Sequence, residues 1–362
     1  MVDVIIRCDA SRRLGSGHVK RCLTLAGALR QRGCSCEFVT TQLDGNLNDE
    51  IQENGFHVNV LPPNISPLSE VNPQDRSIAK CSDDLQELDA LETVKFFDMR
   101  KPVVIVDNYE LDFVWETIVR KMARSIVAID DMTERSHDCD ILINQNLGFS
   151  SADYKGLVDK DCLVFAGSKY CLIPADFLQA RNKQLRNKSK SSPKVLINFG
   201  GSDLENNISR ALLSIASTNP PLKLDEICVV LGPQNQRFKD VAKIADTLPF
   251  STTVIQSVPS MATLMSEASL AIGAAGSSTW ERCCVGLPAL QCILADNQKQ
   301  IANQAQTAGV AETFSFDALS LMLKFFFNTK EGQRSLNRMS KKAAKLVDGK
   351  GLQRLVPAII GG

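Results

Sequence analysis

The sequence has no excess of charge of either sign: 41 Lys and Arg balance 41 Asp and Glu over 362 residues. That balance offers no field to draw nucleic acid or an anionic membrane surface, so neither is expected as a partner. Aromatic residues make up only 6%, too few for the stacking platforms of single-strand binders. No apolar run approaches a membrane span, and the first residues enter a strand pattern directly, with no signal-peptide pattern. A cytoplasmic protein is expected. Also missing are GxGxxG, Walker, GxSxG and HExxH motifs, which removes the commonest dinucleotide, NTPase, serine-hydrolase and zinc-protease readings. No CxxC pair exists among the twelve cysteines; the closest sets are Cys34-Ser-Cys36 and Cys283-Cys284. Cys8, Cys22, Cys228 and Cys292 fall inside apolar patterns, where a reduced thiol behaves as a small hydrophobe. Free thiols are expected, and no zinc.

What is present, 44% hydrophobic and 23% charged residues, is the composition of a soluble globular protein, long enough for two domains. Apolar strand runs alternate with helical spacing from Val2 to Asn144. Val103-Val104-Ile105-Val106-Asp107 is the continuous kind found in a parallel sheet covered on both faces. Arg181 to Lys194 is basic, polar and nearly without apolar residues, and reads as a linker. Beyond it the alternation restarts at Val195-Leu196-Ile197-Asn198-Phe199, ending in Gly200-Gly201. The expected division is 1–180, a linker at 181–194, and 195–362. Each half reads as a doubly wound parallel α/β unit with ligands at the carboxyl ends of its strands.

Two stretches carry chemistry. In the first, the strand Val2–Ile6 leads to Gly15-Ser16-Gly17-His18, and Val19, Cys22, Leu23, Ala26 and Leu29 recur at helical spacing. Strand, glycine loop and helix start make an anion site, with a titratable imidazole on the first turn. In the second, Leu270-Ala271-Ile272 leads to Gly276-Ser277-Ser278-Thr279-Trp280-Glu281. Small residues let backbone N–H groups approach a phosphate, and the hydroxyls add donors. Glu281 suits either a capping carboxylate or an acceptor for the hydroxyls of a ribose. Asn297 and Gln298 follow in a polar loop, side-chain amides of the kind that orient a sugar or base. His57 reads as a strand-edge residue. His137-Asp138-Cys139-Asp140 alternates faces in an extended segment and cannot ligate one metal together.

At this point the residues resemble a family. Ile6-Arg7-Cys8-Asp9-Ala10-Ser11, Gly15 to Leu23, Asp107-Asn108-Tyr109, Trp115-Glu116, Ile129-Asp130-Asp131 and His137 to Asn146 resemble the UDP-sugar hydrolases of pseudaminic acid synthesis (PseG). The likeness continues in order through Tyr154 to Leu157, Phe199 to Asp203, Gly276 to Glu281 and Asn297-Gln298. It implies a GT-B-like fold like that of MurG: two Rossmann-like doubly wound parallel-sheet domains facing a central cleft. It implies hydrolysis of UDP-2,4-diacetamido-2,4,6-trideoxy-β-L-altropyranose with inversion, no metal and no cofactor; the sequence does not fix the oligomeric state, and a monomer is expected. On this resemblance His18 is the general base. Ser277, Ser278 and Thr279 contact the diphosphate, and Glu281, Asn297 and Gln298 the uridine. Gly15, Gly17, Arg21, Gly200 and Gly201 stand on the substrate side; Tyr109, Asn144 and Asn146 line the sugar pocket. A GT-B glycosyltransferase and a non-catalytic nucleotide-sugar binding module are the alternatives.

Overall fold

The computed structural model describes residues 2–361 apart from 13, 66–81, 99, 187–192, 202, 204, 233–234, 259 and 297. The chain forms two compact units, Met1–Leu172 with Lys350–Gly362, and Ile173–Gly349.

The first unit begins with β1 (Asp3–Cys8), α1 (Gly17–Arg30), β2 (Ser35–Thr41), α2 (Asn48–Glu53) and β3 (His57–Leu61). It continues with α3 (Asp83–Val94), β4 (Val103–Asp107), α4 (Phe113–Arg120), β5 (Ser125–Ile129), β6 (Ile141–Asn144) and β7 (Leu163–Ala166). Every strand pair is parallel, in the order β3-β2-β1-β4-β5-β6-β7. Strand side chains alternate faces, and the cores follow that rule. Val4, Ile6, Val103, Ile105, Val127 and Ile129 pack with Val19, Cys22, Leu25 and Leu29 of α1. Ile5, Val104, Val106, Ile126 and Ala128 pack on the other face with Trp115 and Val119 of α4. A strand flanked by two cores must be apolar at every position, which is why β4 and β5 read as unbroken runs.

The second unit contains α5 (Ala175–Arg186), β8 (Lys194–Asn198), α6 (Asn207–Ala216), β9 (Glu226–Leu231), α7 (Phe238–Ala245), β10 (Ser251–Gln256) and α8 (Met261–Glu267). Then come β11 (Leu270–Ala274), α9 (Ser278–Cys284), β12 (Ala289–Cys292), α10 (Gln298–Thr307), β13 (Ala311–Thr313), α11 (Phe316–Asn328) and α12 (Lys330–Leu346). Its parallel sheet runs β10-β9-β8-β11-β12-β13. The strand order of both units reverses beside the first strand, between β1 and β4 and between β8 and β11, where doubly wound folds bind ligands.

The units do not divide at the expected linker. Arg181 to Arg186 continue α5, anchored upstream by buried Phe177 and Ala180. Arg181 donates to the backbone oxygens of Cys284, Ala344 and Val347. The last residues also belong elsewhere than expected: α13 (Gly351–Gly361) sinks Leu355, Val356 and Ile359 into the first unit's core. Gly351 sits so close to Cys171 that a Cβ there would meet its carbonyl oxygen at 2.1 Å. Among the described residues, eleven cysteines are free thiols, and no helix is long and apolar enough to cross a membrane. Most of the loop expected at Pro62–Asp75 lies outside the described residues.

Candidate active site

In the first unit the chain turns back on itself between Ser11 and Gly15. Gly15 N donates to Ser11 O at 2.9 Å, and Gly15 takes φ +78°, which only glycine adopts without strain. Gly17 opens α1, and His18 stands on its first turn, 6% exposed. Its ring meets a carboxylate from far along the chain: Nδ1 lies 2.6 Å from Oδ1 of Asp107, the last residue of β4. An ionised carboxylate only accepts, so Nδ1 carries a proton, and in the neutral ring Nε2 is the acceptor.

Asp107 is fully buried and receives three close donors, His18 Nδ1 together with Arg21 Nε and Nη2, both at 2.6 Å. Burial alone would push its carboxyl up; Arg21 and then His18 outweigh burial and hold it well below the usual carboxylate range. Arg21 also reaches Asp131, with Nη1 2.8 Å from Oδ2. Tyr109 OH donates to Asp131 at 2.9 Å, and its ring stands edge-on to His18, centroids 4.5 Å apart. Burial, then the charge of Asp131, keep that phenol protonated, above its ordinary range. Asn146 Nδ2 donates to Asp131 Oδ1 at 2.9 Å. His18, Arg21, Tyr109 and Asn146 are thus one cluster, with Asp107 and Asp131 at its centre.

A layer beneath holds the cluster rigid. Arg135 donates to the backbone oxygens of Asn108, Tyr109 and Leu111 and to Asp130, clamping the loop that carries Tyr109. Asn144 belongs to this layer rather than to a sugar pocket. It is fully buried, donating to Tyr154 OH at 2.8 Å while its oxygen accepts from Asn146 N. Its place at the end of an all-buried strand forces the side chain inward. His137 lies among Glu116 and Asp130; burial opposes its charge, but the two carboxylates win and raise it to about 9. The roles of Asp107 and Asp131 escaped the sequence reading. The available signal was a carboxylate ending an apolar strand.

In the second unit, Gly200 and Gly201 follow β8, Gly200 at φ +89°. A Cβ on Gly232, after β9, would lie 1.9 Å from Gly201 O, so these loops meet as bare backbone. After β11, the N–H groups of Gly276, Ser277 and Ser278 make no hydrogen bond among the described residues. Ser277 is exposed, Ser278 and Glu281 half-buried. Gln298 joins them, its Nε2 4.0 Å from a Cβ built on Gly276, its Oε1 accepting from Leu294 N. Thr279 differs from expectation. It is 2% exposed and its Oγ1 accepts from Arg282 Nη2 at 2.9 Å, because the first helical turn rotates it toward the core. Asn297 lies outside the described residues.

Residues 195–347 match the glycosyltransferase family 28 C-terminal domain. A UDP-2,4-diacetamido-2,4,6-trideoxy-β-L-altropyranose hydrolase of Campylobacter jejuni is 29% identical over 67% of this chain and 74% of its own. The spore coat polysaccharide biosynthesis protein SpsG of Bacillus subtilis is 26% identical over 98% and 96%. An uncharacterized protein of Methanocaldococcus jannaschii is 26% identical over 83% of this chain, which spans 57% of that longer protein. Among solved structures, MurG of Acinetobacter baumannii matches over 100% of both chains with a TM-score of 0.71 at 15% identity. A Neisseria meningitidis UDP-GlcNAc 2-epimerase bound to UDP-GlcNAc matches over 100% of both at 0.59 and 13%. The fold is GT-B.

Proposed function

We propose, from the GT-B fold, the family 28 match and the 29% identity to the Campylobacter hydrolase, that the chain cleaves a UDP-activated sugar with water. The substrate read from that resemblance is UDP-2,4-diacetamido-2,4,6-trideoxy-β-L-altropyranose; the products are the inverted free sugar and UDP. The observation that carries the reading is the His18–Asp107 couple. Asp107 holds the imidazole in the tautomer whose Nε2 accepts a proton from water, and it stabilises the imidazolium that follows. Water's oxygen attacks the anomeric carbon, the bond to the diphosphate oxygen breaks, and UDP leaves with the electron pair. Loop donors at Gly276, Ser277 and Ser278 are suited to the charge on the leaving diphosphate. Glu281 and Gln298 are the proposed uridine contacts, with Asn297 assigned by the resemblance alone. Tyr109 and Asn146 are proposed on the sugar side.

The test is His18→Asn. Fold and UDP affinity are expected to stay, while hydrolysis falls by about 10²–10⁴, the worth of a positioned base. Turnover near that of the wild type ends the assignment. The family 28 domain favours a second reading, transfer of the sugar to an acceptor, which requires UDP release to depend on an added acceptor.

A further inference from the structure

Among the described residues three arginines are buried, and one of them is partnered unlike the others. Arg7 faces Asp9 and Asp89, and Arg21 faces Asp107 and Asp131. Arg282, 4% exposed, has no ion pair to a carboxylate among the described residues. It donates to Ala274 O at 3.0 Å, Thr279 Oγ1 at 2.9 Å and Ser278 Oγ at 3.4 Å, and its Nε has no partner. Burial works against its charge, and Cys283, Glu281 and Cys292 offset that only in part, so the guanidinium is held below its ordinary range. A buried cation left this way is costly, so its presence calls for an anion that completes it.

The position says which anion. Arg282's acceptors, Ala274 and Ser278, bracket the loop Ala275–Ser277, whose Gly276 and Ser277 N–H groups are unbonded, as is that of Ser278. Gly273 lies beside the guanidinium, where a Cβ would be in contact with Nη1 at 3.4 Å and would clash with Asn198 O at 2.2 Å. Because Arg282 donates to the two hydroxyl oxygens, their hydrogens are released to point elsewhere. Backbone donors, the Ser278 hydroxyl and a cation beneath them are complementary to clustered negative oxygens, not to a neutral sugar or base.

We propose that Arg282 is a positioning residue for the diphosphate of the nucleotide: a buried counter-charge that acts through Ser278, Thr279 and the loop backbone. The inference rests on the reading of the second unit as a nucleotide-diphosphate site and adds the group that makes it selective for the charged part. The full chain is titrated calorimetrically with UDP and with uridine, as wild type, Arg282→Met and Arg282→Lys. Arg282→Met is expected to weaken UDP about 10- to 100-fold and uridine less than about 2-fold, the span of one charged hydrogen-bonding group. Arg282→Lys, keeping the charge, is expected to recover most of the loss. Equal weakening of UDP and uridine, or unchanged UDP affinity, overturns the proposal while leaving the nucleotide reading intact. Wild-type protein that binds no UDP ends both. If Arg282→Met does not fold, phosphorus NMR of the wild-type UDP complex decides. The β-phosphate, which titrates near pH ~6 when free, is expected to titrate at least about one unit lower when bound. An unchanged titration overturns the proposal.

Discussion

Replacing Asp107 by Asn probes the site more deeply than removing His18, because it leaves the imidazole in place and disturbs only what directs it. Three nitrogen donors converge on Asp107, each at 2.6 Å, with the Cys22 thiol at 3.5 Å, in a position with no exposure. Asn offers one acceptor and one donor there, so its NH2 group must face an N–H of Arg21 or of His18. If the amide oxygen turns to Arg21, Nδ1 of His18 becomes the acceptor and the proton moves to Nε2, the nitrogen that must take a proton from water. Hydrolysis is then expected to fall by about 10²–10⁴, with UDP affinity, proposed above for the second unit, held. The fold also loses a buried charge facing Arg21, a change that typically costs about 3–5 kcal/mol; Arg21 keeps Asp131, so the low end applies. The pH dependence has a definite sign. Asp107 is held below the ordinary carboxylate range, so its stabilisation is present above pH ~4 and is lost as pH falls toward its lower folded value. Asp107→Asn should lack that portion of acid sensitivity. UDP release measured beside denaturant unfolding at pH 7 and below 4 reads all of this. A variant that hydrolyses within about 3-fold of wild type refutes the reasoning.

Other perturbations test separate parts of the structure. His137 titrates at about 9 when folded, above its unfolded value near 6.5, so its stabilisation is full below 6.5 and lost as pH rises through 9. Urea titrations of His137→Gln should show up to about 3 kcal/mol less stability at pH 6 and a flatter profile between 6.5 and 9; a profile parallel to wild type contradicts this. Leu355→Ala should cost about 2–5 kcal/mol, since Leu355 lies fully buried in the core of α1 and β1. Hydrogen exchange should speed in the first unit while UDP affinity, proposed for the second, holds. Gly273→Ala should destabilise the second unit, its Cβ meeting Asn198 O at 2.2 Å; calorimetric unfolding with an unchanged midpoint would contradict that contact. Glu281→Gln should weaken uridine and UDP by the same factor in titration calorimetry, unlike Arg282→Met.

Much of this was readable from neighbours in sequence. The Gly15–His18 loop and the Gly276–Glu281 loop each lie between a strand and the helix that follows it, so local periodicity and glycine placement located both. What local patterns cannot carry is pairing across the chain. His18 and Asp107 are 89 positions apart, and no spacing joins them; only the adjacency of β1 and β4 does. Ser277, Ser278 and Thr279 look alike as hydroxyls, yet helix rotation turns Thr279 to Arg282 and leaves Ser277 exposed. The helical spacing of Leu355, Val356 and Ile359 marks an amphipathic helix but not the core that receives it, so chain order alone places these residues with the second unit while they pack in the first. Arg181 to Arg186 looked like a linker because their own side chains are polar, although Phe177 and Ala180 had already committed the helix.

The central claim is that His18 directs water to the anomeric carbon of a UDP-sugar. The measurement is proton NMR of wild-type protein with UDP-2,4-diacetamido-2,4,6-trideoxy-β-L-altropyranose in chelator, without acceptor, in water enriched in oxygen-18. The expected result is release of UDP, a first-formed sugar of inverted anomeric configuration, and, by mass spectrometry of the quenched early products, the heavy oxygen in the sugar rather than in UDP. UDP release only when an acceptor is added, or the heavy oxygen in the phosphate, would contradict it.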